Sequence, residues 1–179
     1  MLKIRRANLA DASQVFAHFK RHSAESGNGD IIFKPMTGNE LSGEVSYLKK
    51  VEKIWSLSTS ALGWEAFWIL ESATKETLGH ISLHSLGMEA SKHRAMLAMG
   101  IERKARGQGF GRQLALAAIN WAKTEPGLNW IDLRVFAHNE AARTLYQSLH
   151  FVETGIVQDL FRVSGQSIDD IRMCLRLTP

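Results

Sequence analysis

Residues 105–122, ARGQGFGRQLALAAINWA, place Gly107, Gly109 and Gly111 at alternate positions directly ahead of a run of strong helix formers. The preceding stretch 93–101, HRAMLAMGI, reads as a buried strand. The unit is therefore strand, bare loop, helix, and it commits the chain to helices layered on a sheet. Backbone N–H groups opening a helix point the same way and carry the positive end of its dipole. Glycine keeps side chains away from them and permits positive φ. Arg106 and Arg112 add charge on either side. A tight strand-to-helix turn needs one glycine, so three alternating glycines favour an anion cradle over a plain turn.

Two common cradles do not fit. A P-loop places Lys and then Ser or Thr after its last glycine, whereas Arg112 and Gln113 follow here. The dinucleotide fingerprint is G-x-G-x-x-G after a first strand, whereas this spacing is G-x-G-x-G deep in the chain.

Around this unit the pattern predicts further elements. Residues 2–6 alternate as an edge strand, and Asn8 caps a helix over 9–21. Residues 23–30, SAESGNGD, are turn-rich. A second helical spacing runs from Glu40 to Leu57. Segments 64–71 and 78–86 read as a hairpin, and 129–136 as a strand. Residues 139–149 form a helix capped by Asn139. Two last strands, FVETGIV and IDDIRMCLRL, are joined by a polar loop at 158–167. The chain of 179 residues fits one α/β domain, 1–179, with a mixed sheet covered by helices. An apolar share of 45% and a charged share of 22% are globular values. The single Cys174 allows no internal disulfide and suits a reducing, cytoplasmic setting, where a buried inert thiol is the expected reading. The start, MLKIRRANLADASQ, does not read as a signal peptide, and no run of about 18 apolar residues predicts a membrane span. The net charge of +4 favours anionic ligands, but its cations are too scattered for a nucleic-acid surface. His80 and His84 share a strand face without a third ligand at metal spacing, so no metal is expected.

The stretch with Arg106, Gly109 and Gly111 resembles the acetyl-CoA motif [Q/R]-x-x-G-x-[G/A] of the GNAT superfamily of N-acetyltransferases. Ile101 matches the aliphatic position five residues earlier, while Arg103 replaces a frequent proline. Residues 135–155 are similar to the family's V-x-x-x-N-x-x-A-x-x-L-Y-x-x-x-G-F segment through Val135, Asn139, Ala142, Leu145, Tyr146 and Phe151. His150 stands where glycine is usual, a position that requires left-handed backbone. The resemblance implies a mixed, mostly antiparallel twisted sheet of about seven strands with about four helices. Its strands 93–101 and 129–136 should be adjacent, parallel and splayed. It further implies that acetyl-CoA is the cosubstrate. Backbone groups of Met99 and Ile101 should meet the pantetheine arm, and N–H groups of Gln108, Gly109, Phe110, Gly111 and Arg112 the diphosphate. Arg106, Gly107 and Asn139 complete the expected cofactor contacts.

Acetyl transfer needs a free amine, an oriented thioester and a proton for the leaving thiolate. Freeing an ammonium of pKa about 10.4 at pH 7.4 costs about 4 kcal/mol. The resemblance makes Tyr146 the general acid; read alone, it is also a helix tyrosine that packs. Asn139 is a helix cap that also fits a cofactor contact. His93 stands where some relatives carry a glutamate base, and a surface histidine at a strand end explains it equally; Glu89 is a nearby alternative. Trp64 or Trp68 could line an acceptor pocket, and Glu25, Asp30 or Asp159 could attract an ammonium between the loops 21–37 and 158–167. The expected activity is direct acetyl transfer to a small amine, an amino acid or a protein N-terminus. A non-catalytic acyl-CoA-binding regulator and a basic RNA- or ribosome-associated module are the competing readings. Exposed strand edges allow a homodimer.

Overall fold

In strand β2 (Glu65–Glu71), Ala66, Trp68 and Leu70 join one apolar cluster, while Phe67 and Ile69 join another. Period-two side chains thus bury this strand on both faces, and helices must cover both. The computed structural model describes residues 1–29, 31–35 and 43–177. Its elements run β1 (Lys3–Arg6), α1 (Ala12–Glu25), α2 (Glu44–Ile54), β2, β3 (Thr77–Ser85), β4 (Arg94–Ile101), α3 (Phe110–Thr124), β5 (Trp130–Phe136), α4 (Glu140–Ser148), β6 (Val152–Val163) and β7 (Gln166–Arg176). The strands form one sheet in the order β1-β2-β3-β4-β5-β7-β6. Every neighbouring pair is antiparallel except β4–β5, which is parallel. Helices α3 and α4 pack with the larger cluster, and α1 and α2 with the smaller one on the opposite face.

The β4–β5 pairing sets up everything that follows. Its register runs from Arg94↔Trp130 to Leu97↔Leu133 and stops there, although β4 continues to Ile101 and β5 to Phe136. The two strands splay apart at their C-terminal ends, as the sequence resemblance implied.

Two expectations need correction. The turn-rich stretch begins later than 23, because α1 continues to Glu25 after a single 3-10 turn capped by Asn8. Residues 158–167 are not a loop. β6 and β7 pair up to Val163↔Gln166 across a two-residue turn in which Ser164 and Gly165 both have positive φ, the geometry of a tight hairpin. A bulge between Val157 and Phe161, with Asp159 at φ 50°, hides the alternation that would have revealed the strand. His150 takes φ 68° after α4, the left-handed conformation its position demands. The start of the helix expected over 40–57 lies outside the described residues.

On the α1 face, β4 presents Gly100 to two imidazoles. A Cβ there would stand 2.5 Å from Cε1 of His22 and 2.8 Å from Cε1 of His80. Glu102, 2% exposed, accepts from Nδ1 of His18 (2.8 Å) and from Arg21 (3.0 Å). A carboxylate only accepts, so Nε2 of His18 must accept in turn from Nδ1 of His80, also at 2.8 Å. His22 stacks between His18 and Phe33.

Gly100→Ala forces a methyl into these rings and should lower the unfolding free energy by about 1–3 kcal/mol; urea denaturation at wild-type stability would contradict the packing. Burial pushes His18, His22 and His80 below the ordinary imidazole range, His22 to about 2. The unfolded chain, with pKa about 6.5, therefore binds more protons below that pH. Their contribution is complete above pH 6.5 and is lost as pH falls. Each histidine steepens the loss by up to about 1.4 kcal/mol per pH unit. In His22→Phe, which keeps the stack on Phe33, the drop in melting temperature from pH 7 to pH 5 should be smaller than in the wild type. An equal drop would contradict the reading.

Candidate functional site

The loop between β4 and α3 is shaped by its glycines. Gly107 (φ 73°) and Gly109 (φ 79°) are left-handed, and a Cβ at either would meet nothing within 4 Å. Their requirement is conformational. Gly111 is required for space: a Cβ there would lie 3.2 Å from Leu145 and 3.5 Å from Ile101. Gly109 caps α3 without any side-chain hydrogen bond, and the first turn carries no acidic residue. The amides of Phe110, Gly111 and Arg112 thus open the helix uncapped, beside the cation of Arg112. Arg112 donates to Oγ of Ser148 (3.0 Å), which docks it against the end of α4.

Arg106 acts as a brace. Its Nε donates to the carbonyl of Ile101 (2.8 Å), its Nη2 donates to Glu25 (2.6 Å), and its guanidinium lies over Phe33. It ties the end of β4 to the end of α1 at the mouth of the splay.

The splay opens into a cavity of about 730 Å³. Strand alternation assigns its walls. On the α3–α4 side are Met99, Ile101, the glycine loop, Arg112, Val135, Asn139, Ala142, Leu145 and Tyr146. On the α1 side are His22, Phe33, Lys34, Gly100, Arg134, Phe136, Phe161 and Asp170. Residues 99 and 101 face one way and 100 the other; Val135 likewise opposes Arg134 and Phe136. The cavity therefore runs through the sheet and joins both faces.

Tyr146 comes from α4, whose cap Asn139 accepts from the amide of Ala142 (3.2 Å). The tyrosine is 6% exposed, meets Phe151 edge-on, and lines the cavity beside Leu145. Burial pushes its phenol well above the ordinary range, so it stays protonated at neutral pH. On the α1 side, Asp170 is 2% exposed and accepts from Nε of Arg134 (2.8 Å). Lys34 donates to Oγ of Ser23 (2.9 Å), and burial lowers its ammonium to about 8.

The structure brings together at this cavity Met99, Ile101, Arg106, Gly107, Gly109, Phe110, Gly111, Arg112, Asn139 and Tyr146. Gln108 is exposed on the loop and donates to the carbonyl of Lys104. His93 stands apart. It is exposed ahead of β4, its carbonyl accepts from Asn129 and Trp130, and it lies six residues, about 20 Å of strand, before Met99. That is the paired end of the β4–β5 ladder, so the base role expected for His93 is not carried forward. Glu89 lies beyond it in a 3-10 turn.

The expected ammonium sites move as well. Glu25 is held by Arg106 and by the amide of Arg103, and exposed Asp159 by Arg162 and Ser167; Asp30 lies outside the described residues. Trp64 and Trp68 pack on Trp121 of α3 with Arg6 stacked over the latter two, away from the cavity. The segments 21–37 and 158–167, expected to flank the acceptor, do supply His22, Phe33, Lys34 and Phe161 of the α1-side wall, but sequence reasoning missed Arg134 and Asp170. The signal was present in NWIDLRVF, where Asp132 and Arg134 alternate with buried Ile131, Leu133 and Val135, marking a polar face. Among the described residues no group of three or more His, Cys, Asp or Glu side chains could hold a metal ion, and no helix is long and apolar enough to cross a membrane.

The sequence matches the acetyltransferase (GNAT) family over residues 38–151. It is 33% identical over 90 residues to the uncharacterized N-acetyltransferase YycN of Bacillus subtilis, a match that covers 50% of this chain and 57% of that protein. The chain thus spans little more than half the length of this curated relative. The fold is similar to that of a GNAT-family acetyltransferase from Streptococcus pneumoniae, with TM-score 0.85, 24% identity, and 98% and 99% of the two chains covered. It is also similar to yncA from Salmonella typhimurium, a structure that holds its cofactor acetyl-CoA, with TM-score 0.81, 18% identity, and 100% and 95% covered. At these identities the structural likeness is one of fold. With the family match spanning most of the chain and the splayed β4–β5 pair at its centre, this chain belongs to the acetyltransferase (GNAT) family.

Proposed function

We propose that the chain transfers the acetyl group of acetyl-CoA to a primary amine by direct attack, inside the cavity that crosses the sheet. The observation that carries this reading is the placement of the uncapped α3 amides and the protonated Tyr146 on one side of a passage whose other side is open to an acceptor. The residues present fit acetyl-CoA. Amides of Phe110, Gly111 and Arg112 would take the diphosphate, and Arg112 would add its charge. β4 has no β5 partner beyond Leu97, which leaves β5-facing backbone for the amides of the pantetheine arm. When bound, acetyl-CoA supplies an activated acyl carbon with a thiolate leaving group.

The protein's own contribution is positioning and proton delivery. The splay orients the acyl carbon toward the α1-side wall. The free amine attacks it, the C–S bond breaks, and Tyr146 donates its phenolic proton to the departing sulfur. The proton lost by the amine passes through solvent water to reprotonate the phenolate. The only cysteine, Cys174, pairs with Asp132 near the closed end of the ladder, so no thiol is at hand for an acetyl-enzyme. The yncA structure with its acetyl-CoA shows that a chain of this fold takes that cofactor.

Release of free thiol from acetyl-CoA, assayed against a panel of amines, tests the reaction directly. Tyr146→Phe should lower kcat by about 10²- to 10⁴-fold while coenzyme A affinity stays unchanged; an unchanged kcat would contradict the acid role. Gly111→Val places a side chain between α3 and Leu145. Its dissociation constant for coenzyme A should rise by at least about tenfold, or about 1.4 kcal/mol. Wild-type affinity in this variant, measured calorimetrically, would move the diphosphate elsewhere.

A further inference from the structure

The α1-side wall of the cavity is cationic. Lys34 and Arg134 line it, and Asp170, the carboxylate on this wall among the described residues, pairs with Arg134 at 2.8 Å, which leaves the net positive charge with Lys34. Lys34 is different. Its Nζ is held by a neutral hydroxyl, Oγ of Ser23, and lies 5.9 Å from the centre of the Phe19 ring. Among the described residues no carboxylate lies within ion-pair distance of it. Glu25 is the carboxylate whose charge reaches Lys34, and it is itself held by Arg106 at 2.6 Å, so a ligand anion can still complete the surroundings of this partly buried ammonium. Its neighbour His22 has a buried Nδ1 with no hydrogen-bond partner, so polar capacity is unspent at this end of the cavity. Phe33, Phe136 and Phe161 supply apolar surface around these groups.

Lys34 belongs to the acceptor half because of where it is anchored. Ser23 and Phe19 are on α1, on the sheet face opposite α3 and its amides. The diphosphate cradle is served from the other face by Arg112.

We propose that the acceptor is a small amine that also carries a carboxylate, an amino acid with an apolar side chain, and that Lys34 binds the carboxylate. This rests on the transfer reading above and narrows its acceptor. Polycationic acceptors meet Lys34 as a like charge and are disfavoured. The cavity also houses the pantetheine arm, so the remaining space suits a small molecule. Burial lowers the ammonium only to about 8, so it is charged at neutral pH, and a bound carboxylate stabilises that charge.

The test is a set of matched pairs. Thiol release from acetyl-CoA is measured with leucine, methionine and phenylalanine, and with the amine that each leaves when its carboxylate is removed. The amino acid of a pair should be preferred by about 10- to 100-fold in kcat/KM. In Lys34→Met that preference should disappear through a higher KM for the amino acid, with the plain amine and coenzyme A affinity unchanged. Lys34→Arg should restore part of it. Preference for the plain amines, or equal loss for both members of a pair, would overturn the assignment. A fall in coenzyme A affinity in Lys34→Met would place the lysine with the cofactor and overturn it as well.

Failure of every pair to turn over contradicts the transfer reading itself. Calorimetry of the coenzyme A complex with the same pairs then decides the inference: amino-acid binding that Lys34→Met abolishes supports it, and absent or equal binding refutes it.

Discussion

The separation of β4 from β5 beyond Leu97 and Leu133 is the constraint on which the site depends. Parallel neighbours in a sheet normally exhaust each other's backbone hydrogen bonds. Here the ladder ends while both strands continue, so backbone polar groups are left facing a gap that must be filled by something other than a strand. The gap also perforates the sheet. A helix start on one face and an α1-side wall on the other come to share one space, which neither face could build alone.

What holds the strands apart is side-chain chemistry at their ends. Arg106 clamps the carbonyl of Ile101 and reaches Glu25 of α1, which draws the end of β4 toward α1. Arg134 and Asp170 tie β5 to β7 on the other bank. Below the splay, the bidentate pair of Arg94 with Asp132 locks the strands together. The result is a hinge-like wedge, closed at Arg94 and open at Ile101. The buried chain from Glu102 through His18 to His80 fixes α1 over the open end. Gly100 lets those rings approach, and a buried hydrogen-bonded chain of this kind favours one arrangement of α1 on the sheet.

Much of this was legible in the sequence. The three glycines, the helix formers after them and the alternation in 93–101 and 129–136 defined the strand–loop–helix unit, and the family resemblance pointed to residues from Met99 to Tyr146 that the structure gathers at one cavity. His150 was readable as left-handed because its position in the motif demands it. The rest was hidden for identifiable reasons. The β6–β7 hairpin carries a bulge at Asp159 that breaks the period-two pattern, so a strand looked like a loop. The segment 21–37 was named as flanking the acceptor, but that His22 and Lys34 are the residues of it that reach the cavity depends on tertiary contacts no local spacing announces. His93 was chosen for residue type and motif position, and Glu25 for charge sign alone. The register puts His93 at the closed end of the wedge, and Arg106 claims Glu25. Charge sign alone does not show which partner a side chain has already found.

The account turns on whether the uncapped α3 amides hold a diphosphate at the mouth of the splay. The direct measurement is a calorimetric comparison of coenzyme A with pantetheine, which keeps the thiol arm and lacks the diphosphate. The account predicts saturable binding of coenzyme A and at least about hundredfold weaker binding of pantetheine, a difference of about 2.7 kcal/mol. Equal affinities for the two, or no coenzyme A binding at millimolar concentration, would contradict it.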